Sequence, residues 1–281
     1  MRSDNDIINT ILSVAKNNEN IRLVCMNGSR VNNKVDYDQY QDFDIAYIVN
    51  DLKELTHNLS WINKFGNIIM MQLPDNQDLY ENQSVDSFHI LMLFDDYKRI
   101  DLTLITKKYL SEYLSSDSLL KILLDKDNVV DNNFSPDDSK YWLKEPYQKL
   151  FDECINEFYW VSTYVMKGLW RNQLLYAFDH LNICREMLLL MLAWDKGHLL
   201  DYKVNFGKNY KYLTNHMSKS EENNLISTYP TLNSSEIKKS LYKMIIFFDD
   251  ITKSVSDKCD LIYDGKQYLE VKKYIGFDYI N

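Results

Sequence analysis

Hydrophobic periodicity changes character once along this chain, and that change limits the folds open to it. Through residue 105 the apolar residues come in short runs, 21–26, 43–49, 68–73, 88–94 and 100–105, each bounded by polar residues. Runs of that length between turn signals read as buried strands. Beyond Lys144 apolar residues instead recur at helical spacing over 146–166, 171–195, 220–228 and 234–257, and the segment 188–192 is apolar nearly all round, which requires burial. Only 7 Gly and 4 Pro occur in 281 residues, so little interrupts these segments. The pattern predicts an α+β chain. A sheet of about five strands with flanking helices forms domain 1–135, and a helical bundle forms domain 136–281. The polar stretch 125–140, with Asn132-Asn133 and Ser135-Pro136, marks the boundary.

Helices are also predicted inside the first domain. Ile7, Ile8, Ile11, Leu12 and Ala15 share one face of a helix over 4–17, with Ser3 or Asp4 as N-cap. Residues 52–65, 107–115 and 117–124 read as further helices, and 75–86 as a polar loop.

Composition narrows the function classes. The formal net charge of −9 repels a phosphate backbone, so a nucleic-acid polymer is a poor partner, whereas a cationic small molecule suits it. Hydrophobic residues at 45% and aromatics at 14% argue for an ordered core. Cys25, Cys154, Cys184 and Cys259 are far apart, with no C-x-x-C, so neither a zinc site nor a disulfide framework is expected. Cys25 and Cys184 lie in apolar segments and read as core thiols. No apolar run reaches the length of about 20 residues that a membrane span needs, and the polar N-terminus lacks a leader-like apolar region. A cytoplasmic protein with no membrane partner is expected.

Three segments carry the chemistry. Gly28-Ser29-Arg30 follows the first strand; Asp42-Phe43-Asp44 opens the second; Arg99-Ile100-Asp101-Leu102 begins the last. Glycine lets a backbone approach a phosphate and serine adds a hydroxyl donor. Carboxylates at i and i+2 on a strand point to one face, and two like charges side by side suit a hard divalent cation. Apolar Phe43 and Ile45 at the alternate positions argue against a solvated edge strand. A third carboxylate, Asp101, would complete a cluster for two ions about 4 Å apart, as phosphoryl-type transfer uses. Asp101 has two possible duties, metal ligand or general base on an acceptor hydroxyl, and Arg99 at i−2 is a competing ion-pair partner.

The order Gly-Ser, Asp-x-Asp, later Asp resembles the nucleotidyltransferase superfamily. More closely, MNGSRVN (26–32), QDFDIAYIV (41–49), RIDLTLI (99–105), LLDKD (123–127) and KGLWRNQLLYA (167–177) look like the aminoglycoside 6-adenylyltransferases, with GKNYKYL (207–213) extending the likeness downstream. The resemblance implies a mixed nucleotidyltransferase sheet, ATP as co-substrate, Mg²⁺ (two ions) on Asp42, Asp44 and Asp101, and AMP transfer to the 6-hydroxyl of streptomycin, which confers resistance. It further implies nucleotide contacts by Gly28, Ser29 and Arg30. Lys167 and Arg171, four apart, form a like-charged pair that a triphosphate would relieve. Lys208 and Lys211 are weaker candidates of the same kind. For the cationic drug, carboxylates and aromatics are wanted; Trp170, Tyr176 and Asp179 are the candidates, with Glu186 beyond them, all taken as one helical stretch. His89 and His180 stand alone and read as core or surface residues. Two rival readings stay open: the same head acting on another acceptor, a protein hydroxyl or other antibiotic, and a non-catalytic nucleotidyltransferase-like binding or antitoxin module. Retention of the Gly-Ser turn and all three aspartates weighs against the second.

Overall fold

A computed structural model of the chain describes residues 2–79, 86–130 and 135–276. The chain divides into two compact units, Met1–Lys140 and Tyr141–Asn281.

The first unit begins with helix α1 (Asp4–Lys16). Ser3 caps it and Asp6 returns the bond to the Ser3 backbone, a reciprocal capping box, while Ile7, Ile11, Val14 and Ala15 are buried. Six strands follow: β1 (Ile21–Asn27), β2 (Phe43–Val49), β3 (Ile68–Gln72), β4 (Ser87–Phe94), β5 (Arg99–Thr106) and β6 (Leu120–Asp125). Their order in the sheet is β3-β4-β5-β2-β1-β6. The β2–β5 pair is parallel and the other pairs are antiparallel, so the sheet is mixed. Helix α2 (Leu52–Thr56) and a 3₁₀ turn (Leu59–Phe65) lie between β2 and β3, and α3 (Leu110–Ser116) lies between β5 and β6.

One sheet face carries the larger core, where Ile7 and Ile11 of α1 meet Tyr47, Ile45 and Leu102. On the other face Leu23, Cys25, Ala46, Ile48 and Ile105 pack with Leu110, Tyr113 and Leu114 of α3. Helix α3 covers only part of that second face, and the uncovered part holds the site described below.

Two expectations are corrected. Residues 117–124 do not form a helix; Leu120–Asp125 is strand β6, antiparallel to β1. A short apolar run has no decisive period, and pairing here closes what would otherwise be an open edge of β1. The sheet therefore has six strands. Residues 52–65 are also not one helix. Asp51 caps α2, and Asn58 restarts the chain as a 3₁₀ turn with its own side-chain cap. Within the expected loop 75–86, Pro74–Asn76 forms a 3₁₀ turn, and residues 80–85 lie outside the described residues.

The second unit is helical: α4 (Gln148–Trp170), α5 (Leu174–His198), α6 (Lys219–Ile226), α7 (Ser234–Cys259) and α8 (Lys266–Tyr274). Its core joins α4, α5 and α7, with Phe158 stacked on Phe248 at 3.8 Å between ring centroids. Helix α8 carries no fully buried residue, which is why its weak periodicity drew no expectation from the sequence. Among the described residues no helix is long and apolar enough to cross a membrane. Cys25 and Cys184 are buried as free thiols, and burial pushes both up to about 12.

Candidate active site

The site is set by sheet register. The parallel β2–β5 pair places Asp44 opposite Asp101, and the antiparallel β1–β2 pair places Asn27 opposite Asp44. Asp42 immediately precedes β2. One carboxylate oxygen from each of Asp42, Asp44 and Asp101 lies within 4.8 Å of the others, and all three residues are half-buried. Three hard oxygen donors at that spacing suit a divalent cation of the magnesium class.

Strand β1 ends at Asn27, and the chain turns at Gly28, whose φ is +76°. A Cβ at Gly28 would overlap the Asp44 carboxylate. Glycine is therefore required twice here, for the left-handed backbone and for the close approach of the turn to Asp44. Ser29 lies in the 3₁₀ turn Gly28–Val31 that follows.

The electrostatics are those of crowded like charge. Burial, followed by repulsion from Asp42 and Asp101, pushes the Asp44 carboxyl up to about 7. Arg99 offsets part of this. Its Nε and Nη2 donate to the two oxygens of Asp101 at 2.6 and 2.5 Å, and Nε lies 3.9 Å from Asp42. The ion pair weighed against a metal role for Asp101 is thus present, with about half of the Arg99 side chain exposed.

Arg30 has a different place from the one expected. Its side chain is 8% exposed, and its guanidinium pairs with Asp4 at 2.5 Å. Its Nε and Nη2 donate to the carbonyls of Asp42 and Gln41, each at 2.8 Å, and the group lies 3.7 Å from the Phe43 ring centroid. Arg30 is committed to holding the approach to β2, where it fixes the backbone of Asp42. Lys98 shares Asp4 at 2.9 Å, tying this clamp to the start of β5 and the first turn of α1.

A cleft of about 780 Å³ opens on the same sheet face, lined among others by Asp44, Asp101, Thr103, His89, Glu112 and Asp117. Two of its residues were missed by sequence reasoning. His89 lies on β4 opposite Thr103, and its Nδ1 is 2.8 Å from Oδ2 of Asp75, a side chain only 6% exposed. The signal was present: His89 is a lone polar residue at strand spacing inside the apolar run 88–94. Glu112 gave no signal, because helix α3 is too short for its facing to be read.

The other predicted residues lie in the helical unit. Lys167 is in the last turn of α4, with Nζ 4.4 Å from the Tyr164 ring centroid and 6.0 Å from that of Tyr176. Arg171 caps the same helix, so both cations also complement its C-terminal dipole. The chain then breaks at residues 171–173, with Asn172 at φ +56°, and α5 begins at Leu174. This corrects the single helical stretch. Trp170 belongs to α4, while Tyr176, Asp179 and Glu186 belong to α5, and counting eight residues from Arg171 to Asp179 does not place them on one face. Trp170 is 62% exposed, and Tyr176 packs against His180 at 4.0 Å between ring centroids.

A family model described as streptomycin adenylyltransferase matches residues 1–276. The chain belongs to the streptomycin adenylyltransferase family. Its relatives include an aminoglycoside 6-adenylyltransferase of Bacillus subtilis (strain 168), 40% identical over 277 residues, covering 98% of this chain and 97% of the relative. A protein of the same name from Staphylococcus aureus is 39% identical over 231 residues, 82% of each chain. A third, from Campylobacter jejuni, is 36% identical over 277 residues, 98% of this chain and 95% of its own. Family membership makes this protein a nucleotidyltransferase enzyme, and the aspartate cluster beside the Gly28 turn is compatible with the divalent metal use that such a family implies.

Proposed function

We propose that the protein transfers AMP from ATP to a hydroxyl of an aminoglycoside, and that the acceptor is the 6-hydroxyl of streptomycin, a modification that confers resistance. The single observation that carries the chemistry is the Asp42-Asp44-Asp101 cluster beside the Gly28 turn. The relatives' names supply the acceptor class.

On this reading Asp42, Asp44 and Asp101 hold magnesium, as two ions. A divalent cation held there would supply positive charge against the triphosphate and would favour ionisation of the hydroxyl. The Gly28-Ser29 turn receives the phosphates, since nothing projects from Gly28 to hold them off. Arg30 keeps Asp42 in place through its carbonyl. Arg99 leaves Asp101 when that carboxylate takes up a ligand, and its guanidinium then has donors for phosphate oxygens. The acceptor oxygen attacks the α-phosphorus, the bond to the β-phosphate oxygen breaks, and pyrophosphate departs with the electron pair. Positioning and charge neutralisation supply most of the rate.

From the helical unit we assign Lys167 and Arg171 to the triphosphate, and Trp170, Tyr176 and Asp179 to the cationic drug. Charge complementarity supports both assignments. The test is to incubate the protein with ATP, Mg²⁺ and a panel of aminoglycosides, follow pyrophosphate release, and locate the AMP on the product by mass spectrometry. Release with streptomycin and esterification at its 6-hydroxyl are expected. Release with no member of the panel would reject the acceptor class.

A further inference from the structure

The cleft face of the sheet is a small lattice of side chains whose rows follow from register. Asp44, Asp101 and Leu91 form one row across β2, β5 and β4, and Ala46, Thr103 and His89 form the next. Residues paired across adjacent strands share a face, and all six line the cleft. Ala46 and Thr103 are small, so the middle of the second row is low and its end is raised by an imidazole. His89 is thus a diagonal neighbour of Asp101, at the separation of about 7–8 Å usual for such pairs.

The imidazole is held for use from that side. Asp75 is buried behind it and accepts both the His89 backbone N–H at 2.6 Å and the ring Nδ1 at 2.8 Å. A carboxylate on Nδ1 favours the proton there, which leaves Nε2 as an acceptor with no hydrogen-bond partner among the described residues. The His89 side chain is 38% exposed and lines the cleft, so a ligand in the cleft can reach that nitrogen.

We propose that His89, oriented by Asp75, is the proton acceptor for the attacking hydroxyl. This inference rests on the AMP-transfer reading above. The acceptor O–H donates to Nε2. As the oxygen–phosphorus bond forms and pyrophosphate leaves, the proton passes to Nε2, giving an imidazolium stabilised by the Asp75 carboxylate, and then returns to solvent. Asp101 is thereby released from the general-base alternative and serves the cation alone.

Two variants separate this role from a structural one. His89→Asn keeps a donor where Nδ1 lies, so the bond to Asp75 survives, but it removes Nε2. The expected result with ATP, Mg²⁺ and an accepted aminoglycoside is a fall in kcat of about 10²–10⁴-fold. KM for both substrates should stay within about threefold, and the melting temperature should be close to that of the parent. His89→Ala leaves a hole in the cleft wall, and added imidazole should restore part of its kcat in a saturable manner. A His89→Asn enzyme with kcat within threefold of the parent overturns the proposal. If His89→Asn melts early, His89→Ala decides, and absence of imidazole rescue overturns it. Turnover by the parent enzyme in the same assay tests the AMP-transfer reading separately, so the two failures are distinguishable.

Discussion

Asp44→Asn is the sharpest perturbation of this site, because the structure fixes its sign on stability as well as on activity. In the fold the Asp44 carboxyl is raised from 3.8 to about 7 by burial and by its neighbours Asp42 and Asp101. The folded state therefore holds this proton more tightly than the unfolded chain does. Its contribution to stability is complete below 3.8 and is lost as pH rises through about 7. An elevation of that size corresponds to about 4 kcal/mol of destabilisation at pH 8 in the absence of metal, and water at the cleft mouth reduces it to roughly 2–3 kcal/mol. Asparagine keeps the shape and removes the charge. Without divalent ions, the metal-free variant should then melt about 5–10 °C above the parent at pH 8, and the two should converge near pH 4. With Mg²⁺ at about 1,000 times Kd the order should reverse, since ligand binding then stabilises the parent by about 4.1 kcal/mol and the variant far less. Turnover of Asp44→Asn should fall at least ~10³-fold, as when a preorganised charge-stabilising group is lost. Differential scanning fluorimetry at pH 4–8 with EDTA or Mg²⁺ reads all of this. If the metal-free melting temperatures of parent and variant differ equally at pH 5 and pH 8, the electrostatic reasoning is refuted.

Gly28→Ala places a methyl group on the Asp44 carboxylate at a left-handed backbone position; it should abolish Mg²⁺-dependent stabilisation and cost at least ~1 kcal/mol of stability in a denaturant titration. Lys167→Ala should weaken ATP binding by about 1.5–3 kcal/mol in calorimetry and leave drug binding without ATP unchanged; equal ATP affinity would return Lys167 to a helix-end role. Asp179→Asn should lower streptomycin affinity by roughly 10- to 150-fold at low salt and leave ATP affinity within about twofold; unchanged drug affinity would move the search to other carboxylates of the helical unit, Glu145 and Glu186.

The central strands were legible because each carries its own signal. The run 43–49 is apolar with acids at i and i+2 at its start, and the β1 turn announces itself through Gly28. What the sequence did not yield is what depends on neighbours. Strand β6 is a strand because β1 offers it an edge, and no period within 117–124 distinguishes it from a helix turn. Arg30 reads as a phosphate ligand from its place after Gly-Ser. Its actual partners, Asp4 and the carbonyls of Gln41 and Asp42, come from segments brought together only by the fold. His89 shows in the sequence only as a lone polar residue in an apolar run; its place one row from Asp101 comes from register, and its partner Asp75 lies fourteen positions away in the chain. Trp170 and Asp179 read as one helical stretch because nothing in Arg171-Asn172-Gln173 is a strong breaker, yet Asn172 takes the left-handed conformation just after α4 ends.

Charge accounting links these observations to the reaction. Among the described residues three carboxylates converge with one guanidinium in direct contact, that of Arg99; the nearby Arg30 is already paired with Asp4. With every carboxyl ionised the group carries an excess of two negative charges, and proton uptake by Asp44 near neutral pH is the relief open to the protein alone. A divalent cation held by the cluster would cancel that excess and remove the reason for the proton to remain. Arg99 is then no longer needed against Asp101, and being half exposed it is free to turn toward an incoming anion. Cation and triphosphate should consequently bind with positive coupling: each carries the charge that the other's arrival leaves unbalanced. Arg99→Ala should sever that coupling. Mg²⁺ affinity without ATP should rise, because Asp101 is released, while ATP affinity in the presence of Mg²⁺ should drop by about 1.5–3 kcal/mol. Titrations in which the variant loses affinity for both ligands together would show that Arg99 orders the cluster instead of standing in for its cation.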